Sequence, residues 1–409
     1  MNERQALLEA LCAAVRGRRV SWPEEALTDA GWEALLLLSR QQQVTGLVMQ
    51  AVYAAPAFLA LEDGTRRTLL QSHRAQVVSH TRRTAALAAL WQQLENSGLH
   101  PVIMKGAACR SVYPAEGVRP SSDEDVLVPD GEFHRCIAFL KEQGFTCGEV
   151  AEDDFEAALR RADGLYIELH RTPFDPKDTV LGGCNAWFDG LFDRAVTVQA
   201  DGFSFRVMGP QDHMRLLMLH AFKHLLYSGF GLRQVCDMVL WAEAYGAGMD
   251  WEALVDDWAS VRALGFARAV FRLGVRYLEM DAAAACLPPA LLCDDGTAEL
   301  LLHDLLTGGV FGTASLSRQH SAAVTLNAVT ADRAGEKSSL LQNLFPSGPQ
   351  LQGRYPYLKK APWLLPAAWA SRLVRYGTEV LRREDSDAAE TLRIGRERTE
   401  LLRKLDIMD

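Results

Sequence analysis

Apolar residues recur at helical spacing through residues 1–99, and the pattern changes after Gly98. Leu7 and Leu11 lie four residues apart, which is the spacing of one helix face. An alanine-rich stretch from about 66 to 96 keeps the same period until the glycine. The pattern therefore predicts a helical N-terminal region that ends just before residue 100.

Short apolar runs separated by turns replace the helical pattern between residues 100 and 172. Runs of about four to eight residues are typical of strands, and amphipathic stretches between them are typical of helices. The predicted strands are 101–105, 124–128, 145–150 and 164–171, and the predicted helices are 106–113, 131–142 and 153–160. This alternation predicts a small mixed sheet, and the fold class is predicted to be α+β, with that sheet embedded in a mainly helical protein.

The remaining residues return to helix and then lose their regular period. The run MRLLMLHAFKHLL, which starts at Met214, is apolar almost all round and predicts a buried helix. Glycine and proline recur from 307 to 370, which indicates an extended, loop-rich segment, and residues 378–409 predict a charged helix. We expect four regions: a helical region 1–99, the sheet region 100–205, a helical domain 206–306, and a loop-rich segment with C-terminal helices at 307–409.

Composition limits the compartment and the partners. The chain is 48% hydrophobic and 23% charged, as in ordinary globular proteins. Its apolar runs are shorter than the ~20 residues that span a membrane, and its first residues lack the apolar core of a secretory signal. Eight scattered cysteines without a CxxC pair favour reduced thiols. We expect a cytoplasmic protein without a membrane partner. The net charge of −9 argues against general nucleic-acid binding but leaves room for a local basic groove.

Two aspartates open the predicted strand 124–128. Asp123 and Asp125 are two residues apart, so on a strand their side chains point to the same face, opposite Val126 and Val128. Neighbouring carboxylates repel each other, and a divalent cation between them removes that cost. Their context, after a Lys-Gly turn and before an apolar run, favours the metal site of a phosphoryl or nucleotidyl transferase. The alternative is a solvent-facing strand end whose acids cap a turn.

A third acid lies on the strand LYIELHR. Glu168 shares a face with His170, two residues on, while Ile167 points to the core. Glu168 could complete a metal site with Asp123 and Asp125 or act as general base, and its alternative is a surface acid. His170 could orient a carboxylate, contact substrate or accept a proton, or it could be a purely structural histidine.

Cationic and small residues surround these acids in the sequence. Lys105 and Gly106 end the first predicted strand at a turn into a helix, where glycine allows close approach of a phosphate and the helix N-terminus offers N–H groups. Arg119 and Ser122 lie in the loop before the aspartates and could bind phosphate oxygens. His220 and His224 are spaced as metal ligands can be, but no HExxH motif is present, so a structural or substrate-lining role is expected.

These motifs resemble a poorly characterised family of the polymerase-beta-like nucleotidyltransferase superfamily. The resemblance is specific at 102–129, with Met104-Lys105-Gly106 and Ser122-Asp123-Glu124-Asp125-Val126-Leu127-Val128, and looser over about 5–380. It continues in Ile167-Glu168-Leu169-His170, in Gly231-Leu232-Arg233-Gln234-Val235-Cys236-Asp237 and in the tail around Trp363-Leu364-Leu365-Pro366. Glu124 stands where the family usually has an apolar residue, and Glu168 stands where it has an aspartate.

The resemblance implies a small nucleotidyltransferase palm, as such a sheet is called in this superfamily, and transfer of an NMP from an NTP to an acceptor. Mg²⁺ or Mn²⁺ would be the metal, held by Asp123, Asp125 and Glu168. Lys223 would meet the nucleotide from the helical domain. The acceptor is expected to be a hydroxyl, phosphate or carboxylate of a small molecule or peptide. Two alternatives remain open: a catalytically inactive nucleotide-binding or partner-binding protein, and a toxin-like enzyme that modifies tRNA.

Overall fold

The computed structural model describes residues 1–115, 117–119, 121, 123–227, 229–293, 296–308, 362–366, 368–369, 371 and 388–408. Almost all of the predicted loop-rich segment 307–370 lies outside these residues, as does Ser122. The helices and strands below are numbered in chain order within the described residues.

Helices fill the N-terminal region, as the apolar period predicts. They are α1 (Glu3–Val15), α2 (Asp29–Gln41), α3 (Thr45–Val52), α4 (Pro56–Leu59) and α5 (Asp63–Asn96). Side chains of Asn2 and Thr28 accept N–H bonds at the starts of α1 and α2, which satisfies helix donors that would otherwise lack partners. Helix α5 buries mainly its C-terminal half, where the Trp91 ring packs 5.9 Å from Phe205 of the sheet.

Seven strands form one mixed sheet in the order β3-β4-β5-β2-β1-β7-β6. Their bounds are β1 (Val102–Ile103), β2 (Glu124–Leu127), β3 (Thr146–Cys147), β4 (Glu156–Arg160), β5 (Tyr166–His170), β6 (Val196–Ala200) and β7 (Phe203–Val207). β2 lies between β1, antiparallel, and β5, parallel. The three strands predicted around the acidic residues therefore share one sheet, and the α+β fold class is confirmed.

Two short helices interrupt the sheet region: α6 (Ala107–Arg110) and α7 (Phe133–Glu142). The helix predicted at 153–160 is wrong, because Glu156–Arg160 is strand β4. Its sequence EAALR has good helix formers, yet burial alternates along it, with Ala157 and Leu159 buried between exposed neighbours. Pairing of all five residues with β5 overrides the local preference. The hairpin of β6 and β7 was not predicted at all.

Helices cover the sheet again after residue 209. They are α8 (Pro210–Tyr227), α9 (Leu232–Tyr245), α10 (Trp251–Ser260), α11 (Leu264–Tyr277), α12 (Thr297–Gly308) and α13 (Ala388–Lys404). Helix α8 is buried on most of its surface, as its sequence predicts. One hydrophobic core runs from α1 to α13. Gln42 joins the two helical regions, because its amide binds the Leu305 carbonyl and the Leu232 N–H.

Two further features of the structure concern its cysteines and its helix lengths. All eight cysteines are free thiols. Within the described ranges, no helix combines the length and the apolar character needed to cross a membrane.

Candidate active site

The acidic residues meet where β2 and β5 run side by side. Asp125 and Glu168 are direct partners in the parallel register, and His170 follows Glu168 on the same face. One ligand atom from each of Asp125, Glu168 and His170 lies within 4.8 Å of the others. Asp123 lines the same pocket, just before β2, but lies outside this group of three. The structure thus brings together two of the three predicted acids, with His170 in place of the third.

Lys105 is the closest cation to these acids. Its Nζ lies 2.8 Å from Asp125 Oδ1 and 2.8 Å from His220 Nε2, so it links the sheet to α8. Burial of Asp125 opposes ionisation, but the charge of Lys105 and the His170 imidazole, 3.4 Å away, outweigh it, and the pKa of Asp125 is held well below its usual range. Asp125 is therefore a carboxylate near pH 7.

Glu168 has the opposite electrostatic environment. Burial, followed by the negative charges of Asp125 and Asp123, raises the pKa of Glu168 above its usual value. The Tyr166 hydroxyl donates to Glu168 Oε1 at 3.0 Å and fixes that side chain on the sheet surface. The pair Asp125 and Glu168 accordingly differs in proton affinity although the two carboxylates are neighbours.

The turn after Gly106 differs from the predicted phosphate site. Ala107 N–H, the first donor of α6, is already bonded to Glu124 Oε2 at 3.0 Å. Gly106 has φ of 57°, and a Cβ there would collide with the Glu124 carboxylate. The glycine is therefore required by Glu124, and the one-turn helix α6 offers no open N-terminus to a phosphate. Gly106 and Lys105 still line the pocket.

Arg119 is held by a carboxylate of the helical domain. Its Nε and Nη2 donate to Asp237 of α9 at 3.0 and 2.6 Å, and the Tyr113 hydroxyl donates to the same carboxylate at 2.7 Å. Asp237 and Arg119 thus form an ion pair that joins α9 to the loop before β2. The third nitrogen, Arg119 Nη1, is buried and has no hydrogen-bond partner among the described residues.

Helices α8 and α9 form a basic wall opposite the acids. Lys223, His220, His224 and Arg233 all line the pocket that contains Asp125. Burial, followed by the charge of Lys105, lowers the pKa of His220 well below its usual value and the pKa of His224 to about 4. Both imidazoles are therefore neutral near pH 7, and the positive charge of this wall comes from Lys223 and Arg233.

The acidic and basic walls enclose a pocket of ≈ 520 Å³. That volume is within the range of small-molecule and cofactor sites. Two contributors were not predicted as site residues: Tyr166, which binds Glu168, and Asp237, which binds Arg119. Tyr166 could have been found from the period of two on its strand. Asp237 is 118 residues from Arg119, and no local pattern connects them.

The donor set of this pocket fits a divalent metal. Two carboxylates and one imidazole are ligands that Mg²⁺ and, more readily with nitrogen, Mn²⁺ accept. His170 is buried, and its ring nitrogens have only long contacts with carboxylates: Nε2 lies 3.4 Å from Asp125 Oδ1 and Nδ1 lies 3.8 Å from Glu156 Oε2. A buried imidazole nitrogen beside carboxylates can coordinate a cation, and Asp123 and Glu156 supply further carboxylates to the same pocket.

Comparison with known proteins identifies the family of the chain. The model of the family described as "uncharacterised nucleotidyltransferase" matches residues 28–279, which is more than half of the chain, so the protein belongs to that family. No curated protein matches the chain. Among solved structures, it is similar to an antigenic nucleotidyltransferase-like protein from Paracoccidioides brasiliensis, with 15% identity and a TM-score of 0.30 over 50% of this chain and 91% of that one.

Proposed function

We propose that this protein is a metal-dependent nucleotidyltransferase that moves an NMP from an NTP to a hydroxyl, phosphate or carboxylate of a small molecule or peptide, with release of pyrophosphate. The observation that carries the proposal is the convergence of Asp125, Glu168 and His170 within 4.8 Å at the bottom of a pocket whose other wall is basic. Family membership supports the reaction class.

Asp125, Glu168 and His170 would hold Mg²⁺ or Mn²⁺, and Asp123 is a further carboxylate in the same pocket. When bound, such an ion supplies positive charge that stabilises the transferring phosphoryl group. Lys105 keeps Asp125 ionised and oriented through its 2.8 Å contact, so the carboxylate needs no rearrangement before it binds a cation. The same ammonium can turn to a phosphate oxygen once a metal neutralises Asp125.

The NTP phosphates would bind between Lys105 and the basic wall. Lys223 extends from α8 into the pocket. Arg119 Nη1 is a buried donor without a partner, and a phosphate oxygen would satisfy it while Asp237 fixes the rest of the guanidinium. The Gly106 turn contributes space to the pocket but not its N–H groups, because Glu124 occupies the first of them.

The acceptor would bind beside Glu168. Its oxygen attacks the α-phosphorus, the bond from that phosphorus to the bridging oxygen breaks, and pyrophosphate leaves. A hydroxyl acceptor gives its proton to Glu168, whose position is fixed by the Tyr166 hydroxyl. Glu168 therefore borders both the metal donors and the acceptor.

The proposal is tested by incubating the protein with each of four α-labelled NTPs, Mg²⁺ or Mn²⁺, and a lysate fraction of small molecules and peptides. The expected result is label in a new product together with pyrophosphate, both lost in Glu168→Gln. NTP binding without pyrophosphate release would instead indicate the inactive binding protein. Label that appears only in added tRNA would indicate the toxin-like enzyme.

A further inference from the structure

The oxygen of Asp125 that faces His170 also binds Lys105. Lys105 Nζ lies 2.8 Å from Asp125 Oδ1, and His170 Nε2 lies 3.4 Å from the same oxygen. Neighbouring ligands of an octahedral Mg²⁺ lie about 3 Å apart, because each bond is about 2.1 Å long. Asp125 Oδ1 and the imidazole nitrogen are therefore close to the spacing that one ion requires. The oxygen that would bind this ion is the one that binds the ammonium group.

An ammonium group and a divalent cation compete for this oxygen. Their charges have the same sign, and Asp125 is buried, so water screens the repulsion between them only weakly. The Lys105 side chain is 17% exposed, so its ammonium does not withdraw into bulk solvent when it leaves Asp125. A metal that binds by itself must therefore separate a buried cation from its counter-ion, which lowers the affinity for the metal.

His220 gives the ammonium a second anchor inside the pocket. Its Nε2 lies 2.8 Å from Lys105 Nζ, and it belongs to α8 rather than to the sheet. Burial, followed by the charge of Lys105, lowers the pKa of His220, so the neutral imidazole accepts a hydrogen bond from the ammonium. Helix α8 also carries Lys223 of the basic wall. The Lys105 ammonium can therefore turn from the acids toward the proposed phosphate site while it keeps this hydrogen bond.

We propose that Lys105 exchanges partners: it binds Asp125 in the free protein, and it binds an NTP phosphate oxygen, with His220 as the constant partner, once metal and nucleotide are both bound. Metal alone then binds weakly because Lys105 competes with it. The NTP relieves that competition by giving the ammonium another anion, so metal and NTP increase each other's affinity by the same factor. The inference rests on the proposed function, because the NTP supplies the phosphate that receives the ammonium.

The first measurement is the affinity for Mn²⁺ alone, read from the electron paramagnetic resonance signal of the free ion. Lys105→Met removes the competing ammonium and should bind Mn²⁺ at least ~10-fold more tightly than the wild type. Lys105→Arg keeps a cation that binds carboxylates in pairs and should bind Mn²⁺ no more tightly than the wild type. Lys105→Gln, which is neutral but still a hydrogen-bond donor, replaces Lys105→Met if that variant does not fold.

Lys223→Met is the matched control for the loss of a positive charge from the same pocket. Within the described residues, the ion pairs of Asp125 are with Lys105 and His170, so Lys223 does not compete directly for the carboxylate. Lys223→Met should therefore change the affinity for Mn²⁺ alone by less than ~3-fold. The difference between the two Met variants isolates direct competition from the general charge of the pocket.

The second measurement is the coupling between metal and nucleotide. The Kd of a non-hydrolysable analogue of each NTP is measured without and with Mg²⁺, and the ratio of the two values should be at least ~10-fold larger in the wild type than in Lys105→Met. Formation of Mg²⁺–NTP in solution is the same for both proteins and cancels in this comparison.

The proposal is overturned if Lys105→Met binds Mn²⁺ no more tightly than Lys223→Met, or if Lys105→Met and the wild type show the same coupling. Failure of the proposed function gives a different result, because then no analogue binds to the wild type at any Mg²⁺ concentration. In that case the exchange with phosphate fails as well, and the Mn²⁺ affinities alone decide whether Lys105 competes with a metal for Asp125.

Discussion

The carboxylate of Glu124 and the guanidinium of Arg110 form a buried ion pair, with 2.8 Å between Oε1 and Nη1. Ser121 Oγ donates to the same Glu124 oxygen at 2.7 Å, and Ala107 N–H binds the other. Glu124 lies between Asp123 and Asp125 in the chain but uses its side chain on the opposite face of β2. The pair therefore anchors the strand that carries the proposed metal ligands.

Replacing Glu124 should cost much more stability than its position in a short strand would indicate. Glu124→Ala removes one of the two carboxylates beside the buried Arg110 guanidinium, the other being Asp201 at 2.8 Å, and leaves Ala107 N–H without its acceptor, so we expect a loss of roughly 3 kcal/mol in the free energy of unfolding. Urea unfolding measures it. Glu149→Ala, an exposed acid after β3, should change the same quantity by less than about 0.5 kcal/mol. Equal effects of the two substitutions would mean that the ion pair does not stabilise the fold.

Replacing Asp237 should also lower the free energy of unfolding, and it should weaken NTP binding as well. The Asp237 carboxylate accepts three hydrogen bonds from Tyr113 and Arg119. In Asp237→Ala, these buried donors would lose that acceptor. We expect roughly 3 kcal/mol lower unfolding free energy and weaker NTP binding, because Arg119 loses its fixed orientation. Asp256→Ala, exposed on α10, serves as control for both measurements. Unchanged NTP affinity in Asp237→Ala would remove Arg119 from the phosphate site.

Acid should destabilise the protein partly through His213. Burial, with a smaller contribution from Arg119 and against the charge of Asp237, lowers the pKa of His213 to about 3 from 6.5. Below pH 6.5 the unfolded chain takes up a proton that the folded protein does not, so stability falls as pH falls, by up to ~1.4 kcal/mol per unit down to about pH 3. The His213 ring stacks on Trp241 at 4.0 Å, a contact that phenylalanine can keep.

His213→Phe should therefore flatten the pH dependence of the unfolding free energy between about pH 6 and 4 by approximately that slope. The measurement is a series of urea unfolding curves across this range. His303→Phe, an exposed position on α12, should leave the slope as in the wild type. If the two variants have the same slope, His213 is protonated in the folded protein.

Local patterns predicted those parts of the site that depend on strand period. The neighbouring positions of Asp125 and Glu168 follow from two apolar strands whose polar residues alternate. Strand β4 was mispredicted because helix propensity in EAALR is a local quantity, whereas its pairing with β5 is tertiary. The partners Arg110 for Glu124 and Asp237 for Arg119 could not be predicted, since side chains 14 and 118 residues apart meet only in the folded chain.

One expectation from the sequence changes once the contacts are known. A repelled pair of carboxylates would make Asp125→Asn neutral or stabilising without metal. Asp125 is instead buried 2.8 Å from Lys105, and its lowered pKa means that the charged form stabilises the fold. Asp125→Asn should therefore lower the melting temperature even without metal, and only the response to ligand reports on the metal site.

The central claim is that Asp125 belongs to a metal-dependent nucleotide site. The stabilisation of the protein by Mg²⁺–NTP tests this claim most directly. Wild type and Asp125→Asn are melted with each Mg²⁺–NTP and with EDTA, and Asp130→Asn, exposed just after β2, is the control. With ligand at ~100-fold excess over Kd, the wild type and Asp130→Asn should gain about 2.7 kcal/mol, EDTA should abolish the gain, and Asp125→Asn should show little of it. Nucleotidyl transfer should fall by at least ~100-fold in Asp125→Asn. A wild type that no Mg²⁺–NTP stabilises beyond Asp125→Asn would contradict a metal-dependent nucleotide site in this pocket.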